Sequence, residues 1–232
     1  MPHNRLFHPE SFAKERTFQL DIEEAKHAKV FRLQKEELCE LVNGKGEIAT
    51  VKVLSSKDPF TVEVVEFVSK KEPPSFTLAM ASVKLAKLEL IIQKGCELGV
   101  SHFQIFDGEL SEKKGLSSSQ LHRLQAINIS ALKQSGRLFL PAISFFSSLN
   151  KVPISSHISY YGAPALGHTS QDKPPKFPST FFIGPEKGFS EKEIKYFLTH
   201  NISPFGLSFQ TLRAETAALA ASAIFGFFQK IY

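Results

Sequence analysis

The sequence predicts a two-domain α/β protein, with a small β-barrel over residues 1–72 and a mostly parallel, helix-covered sheet over residues 73–232. Three observations predict it. Short alternating runs separated by turn residues fill the first part, Pro73-Pro74 interrupts the chain, and strand-like and helix-like runs then alternate to the end. Alternation of that kind buries a parallel sheet between layers of helices.

In the first part, residues 23–31 form one helical element. Residues 38–42 read as a strand that runs into Asn43-Gly44-Lys45-Gly46, a strong hairpin signal. The returning strand covers residues 47–54 and places Ala49, Val51 and Val53 on one face. Ser55-Ser56-Lys57-Asp58-Pro59 supplies the next turn, and residues 60–68 the next strand. Its alternation slips at Val64-Val65, so a bulge is expected there. Several short strands within so few residues favour a small barrel.

Beyond Pro74, residues 76–81 read as a strand. Residues 84–98 read as a helix with Leu85, Leu88, Ile91 and Ile92 on its apolar side, and Gly99 suits the position just past its end. A strand over residues 100–106 leads into a serine-rich loop. Leu121, Leu124, Ile127 and Ala131 then mark a helix that stops at Gly136. Residues 158–161 read as a strand, and residues 163–178 as a proline-containing loop.

Two strand–loop–helix units complete the chain. Phe181-Phe182-Ile183 precedes Gly184-Pro185-Glu186-Lys187-Gly188, and Ser190-Glu191-Lys192-Glu193 then starts a helix with a capping box. Pro204-Phe205-Gly206-Leu207 precedes Leu212-Arg213-Ala214-Glu215-Thr216, which opens an alanine-rich helix. Both units place unusual loop chemistry at the carboxyl end of a strand, where open α/β sheets bind ligands.

Charge narrows the partners. Residues 1–72 carry 12 Lys+Arg against 13 Asp+Glu, a net of −1, whereas residues 73–232 carry 16 against 10, a net of +6 that brings the whole chain to +5. Long-range attraction for a polyanion therefore comes from the second part. A basic protein with a solvated lysine surface would read the same way. Lysine outnumbers arginine 22 to 6, so Arg5, Arg32, Arg137 and Arg213 suggest positions where planar, bidentate geometry matters.

Several classes are excluded. No Walker motif, no Gly-x-Gly-x-x-Gly after the first strand of the second part, no Gly-x-Ser-x-Gly elbow and no His-Glu-x-x-His occur. The histidines have no metal-ligand spacing, so no metal site is expected. Cys39 and Cys96 form no framework, and Cys96 lies in an apolar-periodic helix as a core thiol would. No run is long enough to span a bilayer and the amino terminus lacks a signal peptide's apolar core, so a cytoplasmic location is expected.

These residues, taken in order, resemble a known family. Arg5 lies in a short amino-terminal motif, and His27-Ala28-Lys29-Val30-Phe31-Arg32 is similar to His-x-x-x-Val-Leu-Arg. Lys87 with Gln93-Lys94 and Glu97-Leu98-Gly99-Val100 looks like a Lys…Gln-Lys-x-x-Glu-Leu-Gly-Val helix. Gln134-Ser135-Gly136-Arg137 is similar to Glu-Gln-x-Gly-Arg. Residues 183–188 look like Ile-Gly-Pro-Glu-Gly-Gly, and residues 212–216 like Leu-Arg-x-Glu-Thr. Together they resemble, almost end to end, the bacterial 16S ribosomal RNA uridine-N3 methyltransferases of the SPOUT class.

The resemblance implies a PUA-like β-barrel that binds RNA, followed by a SPOUT domain whose carboxyl end forms a trefoil knot. It implies a homodimer that binds S-adenosylmethionine and acts on 16S rRNA or the 30S subunit. The cofactor would be held by Tyr161, Gly162, Ile183, Gly184, Pro185, Glu186, Gly188, Leu207 and Leu212, mostly through backbone and apolar contacts. Arg213 would stabilise the charge that spreads onto the carbonyl oxygens as uridine N3 loses its proton, oriented by Glu215 or Thr216. Arg213 and Glu215 could equally cap and brace the last helix. Arg5, Arg32 and Arg137 are assigned to RNA phosphate or dimer contacts and Lys187 to RNA or the cofactor, with surface salt bridges as the competing reading for the arginines.

Three positions depart from the family pattern. Lys187 interrupts a glycine pair, at a cost of roughly 1 kcal/mol if that position requires positive φ. Gln210 stands where an arginine is usual, and Lys133 where a glutamate is usual. A SPOUT enzyme with another target nucleotide, or an RNA-binding relative with impaired catalysis, are the alternatives.

Overall fold

The computed structural model describes residues 4–154, 158–163 and 175–229. Its contacts form two compact units. One comprises the described residues up to Glu72 together with Ile129–Leu140, and the other the described residues of 73–128 and from Pro141 onward.

The first unit is built on β1 (Arg5–Phe7), β2 (Thr17–Gln19), α1 (Ile22–Val30), β3 (Leu38–Val42), β4 (Glu47–Ser55) and β5 (Thr61–Ser69). The strands form a curled sheet of order β1-β3-β4-β5-β2. β1 runs parallel to β3 and the other pairs are antiparallel. The expected hairpin joins β3 to β4. Asn43 Oδ1 accepts from the N–H groups of Lys45 and Glu47 at 2.8 and 3.1 Å, which fixes the turn, and Gly44 and Gly46 take the positive φ it requires. The expected bulge is also present: Val51 pairs with Val64 and Thr50 with Glu66, leaving Val65 as the extra residue. Leu6, Leu41, Val51, Val53, Phe60, Val62 and Val64 are fully buried beneath it.

Residues 129–140 join this unit through contacts that the sequence reading did not contain. The N–H of Gly46 donates to the Leu138 carbonyl at 2.9 Å, and that of Leu140 to the Gly44 carbonyl at 2.8 Å. Lys133 Nζ is buried against Glu24 Oε1 and lies 3.0 Å from His27 Nδ1. Lys133, which stands where the resembled family usually has a glutamate, therefore has its counter-charge on α1.

The second unit holds β6 (Phe76–Ala81), α2 (Leu85–Glu97), β7 (His102–Phe106), the start of α3 (Ser118–Ser135), β8 (Ala142–Phe146), β9 (Ile158–Gly162), β10 (Ser179–Ile183), α4 (Glu191–Thr199), β11 (Ser203–Phe205) and α5 (Ala214–Gln229). Its six strands are all parallel, in the order β11-β9-β10-β6-β7-β8. Side chains alternate across the sheet as the period of two demands. Leu78, Met80, Phe181 and Ile183 pack with Leu88 and Ile91 of α2 and with Ala218 and Phe225 of α5. Ala79, Ala81, Phe106 and Phe182 face the other way, against Phe197 of α4. The sequence reading had no element at β8. Most of the loop expected over residues 163–178 lies outside the described residues.

Candidate functional site

Three neighbouring parallel strands, β11, β9 and β10, end at the same edge of the sheet. The segments that follow them enclose a cavity of about 470 Å³. Tyr161 and Gly162 reach it from the end of β9. Ile183, Gly184, Pro185, Glu186 and Gly188 reach it from β10 and its glycine loop, and Leu207 and Leu212 from the loop after β11. All nine residues expected to hold a cofactor thus line one cavity.

The glycine loop has a local cause for its shape. The N–H of Gly188 donates to the Pro185 carbonyl at 2.9 Å, closing a tight turn, and Gly188 has φ +75°. A Cβ on Gly184 would stand 3.2 Å from the Gly188 carbonyl carbon and 3.3 Å from the Phe189 nitrogen, so the two ends of the loop touch because residue 184 is glycine. The capping box then starts α4: Ser190 Oγ accepts from the Glu193 N–H at 3.1 Å, and Glu193 Oε2 from the Ser190 N–H at 2.8 Å. Lys187 does not have positive φ, so the strain considered for it is absent. Its side chain is exposed, with Nζ 3.6 Å from Glu112 Oε1.

Arg213 stands immediately before α5, exposed and outside the cavity lining. Glu215, expected with Thr216 as the residue that orients Arg213, is paired instead with Lys87, and no hydrogen bond joins it to Arg213 among the described residues. Lys87 Nζ lies 3.0 Å from Glu215 Oε2 and 2.9 Å from Glu186 Oε1. Among the described residues, Arg213 has no side-chain hydrogen bond or ion pair. The contacts with Glu186 and then Glu215 raise the Lys87 pKa. For Glu186 and Glu215, burial is the largest influence and pushes upward. Lys87 and backbone N–H groups together outweigh it and leave both carboxyls below their ordinary value, with the Arg213 charge adding to the effect on Glu215.

The residues assigned to RNA are not brought together in this way. Arg5, Arg32 and Arg137 all belong to the first unit. Arg5 is corrected: it is buried, with Nε and Nη2 at 2.8 and 2.6 Å from Glu40 Oε2, and so is unavailable to a phosphate. The pairing is what its position on β1 opposite Glu40 of β3 dictates. Arg32 is exposed with φ +57°, and Arg137 is half-buried.

Sequence reasoning missed several lining residues, among them Phe189, Ile194, Phe205 and Ala217. Ala217 carried a usable signal, since a small residue one turn into α5 leaves room beside the strand ends. Gln210, noted only as a departure, also lines the cavity. Among the described residues no cluster of His, Cys, Asp and Glu could hold a metal ion, and no helix is long and apolar enough to cross a membrane.

A cavity at the carboxyl edge of a parallel sheet, walled by a glycine loop, defines a ligand-binding α/β fold. Comparison with known proteins gives the class: residues 70–226 match the RNA methyltransferase domain family, and residues 20–65 the RNA methyltransferase PUA domain. The chain belongs to this family of RNA methyltransferases, with a PUA domain ahead of a SPOUT-type α/β domain. More particularly, it is 30% identical to the ribosomal RNA small subunit methyltransferase E of Synechocystis, over 84% of this chain and 67% of that one. It is 27% identical to a solved ribosomal RNA small subunit methyltransferase E of Neisseria gonorrhoeae bound to S-adenosylmethionine, with TM-score 0.87 over 100% of this chain and 98% of that one. A methyltransferase of Legionella pneumophila, solved with the same cofactor, is 27% identical with TM-score 0.90 and 98% coverage of both chains.

Proposed function

We propose that this protein methylates N3 of a specific uridine in the 16S rRNA of the small ribosomal subunit, using S-adenosylmethionine. The observation that carries the reading is the convergence of all nine expected cofactor residues on one cavity, with an uncommitted arginine next to its lining residue Leu212.

The residues fit the cofactor. The volume of about 470 Å³ lies within the range of about 300–1,000 Å³ usual for small-molecule sites. Gly162 and Gly184 line the cavity from the ends of β9 and β10, and Ile183, Leu207 and Leu212 offer apolar walls to an adenine ring. Bound there, S-adenosylmethionine supplies an electrophilic methyl group on a sulfonium.

The chain's own residues do the rest. The loops orient the reactants for in-line attack, where positioning contributes much of the rate. Arg213 stabilises the negative charge that develops on the uracil carbonyl oxygens as the N3 proton leaves. Glu215 acts through its ion pair with Lys87, which also holds Glu186 of the cavity lining. Arg32, Arg137 and Lys187 contact RNA phosphates, and the reading includes a homodimer working in the cytoplasm on the 30S subunit or free 16S rRNA.

The test is transfer of labelled methyl from S-adenosylmethionine to 30S subunits and to naked 16S rRNA, followed by nucleoside analysis. Label in N3-methyluridine is the expected result, and its absence on both substrates overturns the proposal. Gln210, which lines the cavity where the resembled family has an arginine, favours one second reading: the same chemistry at a different nucleotide. Primer-extension mapping of a deletion strain separates the two.

A further inference from the structure

Lys87 stands in the first turn of α2, outside the segments that line the cavity. Its ammonium nevertheless joins two of them. Glu186 belongs to the glycine loop after β10, and Glu215 to the first turn of α5, directly after the loop that follows β11. Lys87 and Glu186 are 99 residues apart in the chain.

The three side chains are only 24%, 32% and 17% exposed, so their attraction is less screened than that of a fully solvated surface pair. Glu215 Oε2 is buried, and the Lys87 ammonium at 3.0 Å is the cation that compensates it. Arg213, two residues before Glu215, is the other cation whose charge acts on that carboxylate.

We propose that Lys87 is a positioning residue that latches the glycine loop to the start of α5 and, by engaging Glu215, leaves the Arg213 guanidinium free for the substrate. The proposal rests on the reading of this cavity as the S-adenosylmethionine site. It has two separable consequences. Without the latch the glycine loop and the start of α5 lose their common anchor, so cofactor binding weakens. Without Lys87, Glu215 also captures Arg213, so methyl transfer slows even when the cofactor is saturating. The second loss is reversed by removing the captor.

The test uses full-length protein, calorimetric titration with S-adenosylmethionine and single-turnover methyl transfer to 30S subunits at saturating cofactor. For Lys87→Met, the expected result is a rise of about tenfold in Kd and a fall of about tenfold in rate. Lys87→Arg, which keeps the cation, is expected to retain most of both. The double variant Lys87→Met/Glu215→Gln is expected to recover rate relative to Lys87→Met while its Kd stays high. A brace that merely stabilises the fold would give no such recovery. Unchanged Kd and rate in Lys87→Met, or a double variant no faster than Lys87→Met, overturns the proposal.

Failure of the cofactor reading shows differently, as a wild-type protein that gives no heat with S-adenosylmethionine. The latch is then read from thermal melting of Glu186→Gln, Glu215→Gln and their combination. Non-additive shifts that become additive in the Lys87→Met background support it, and additive shifts in both backgrounds overturn it.

Discussion

Arg213 is exposed and, among the described residues, unpaired, which suits a cation that meets its partner charge only as the reaction proceeds. A donor aimed at developing charge contributes to the transition state more than to the ground state. Arg213→Ala is therefore expected to lower kcat by about 10²–10³-fold, with the cofactor Kd from calorimetry nearly unchanged. An equal loss in cofactor affinity would make it a binding residue instead. At this scale the tight glycine loop was legible in the sequence, because glycine and proline restrict the backbone wherever they stand, and the apolar lining residues were implied only by the family resemblance. Arg5 was not legible: it carries the same signal as Arg213, and only the structure shows it buried against Glu40 while Arg213 is exposed.

Helices α2 and α5 show how packing overrides local preference. Gly226 sits inside α5, where alanine would normally be better by about 0.5–1 kcal/mol. A Cβ at that position, however, would stand 1.9 Å from the Leu98 carbonyl oxygen at the end of α2. No backbone oxygen tolerates that approach, so the helices must separate and loosen the Phe225 contacts with Phe76, Tyr160 and Phe181. Overpacking of this kind costs about 1–3 kcal/mol and occasionally more, which exceeds the gain in propensity. Gly226→Ala is expected to lower the urea midpoint accordingly, and a raised midpoint would show that α5 can shift away freely. The elements themselves were mostly legible, from the hairpin at Asn43-Gly44 to the capping box at Ser190. β8 was not, because an edge strand with one neighbour has a mixed burial pattern and a weak alternation.

Across the molecule, stability depends on polar groups that the fold buries. Lys133 and Glu24 form a buried pair within the first unit, tying residues 129–140 to α1. Removing one member leaves the other uncompensated, so Lys133→Met is expected to destabilise by about 3–5 kcal/mol in denaturant titrations. Adding Glu24→Gln should recover part of that loss. Acid acts through the histidines. Burial holds His8 and His27 below their ordinary pKa of 6.5, with the Lys133 charge adding to the effect on His27. Between the folded and ordinary values the unfolded chain binds more protons, so stability falls as pH drops below about 6.5. Unfolding midpoints at a series of pH values measure this, and His27→Gln should flatten the slope. The sequence by itself determined the strand–helix alternation, the hairpin, the bulge at Val65, the helix starts and the two ligand loops, since each follows from residue spacing or backbone restriction within one segment. Only the tertiary structure decided that those loops meet at one cavity, that Lys87 binds both Glu186 and Glu215, and that residues 129–140 join the first unit. The strand order β11-β9-β10 and ion pairs between remote segments bring these groups together, and no local periodicity encodes which distant segment a side chain will face.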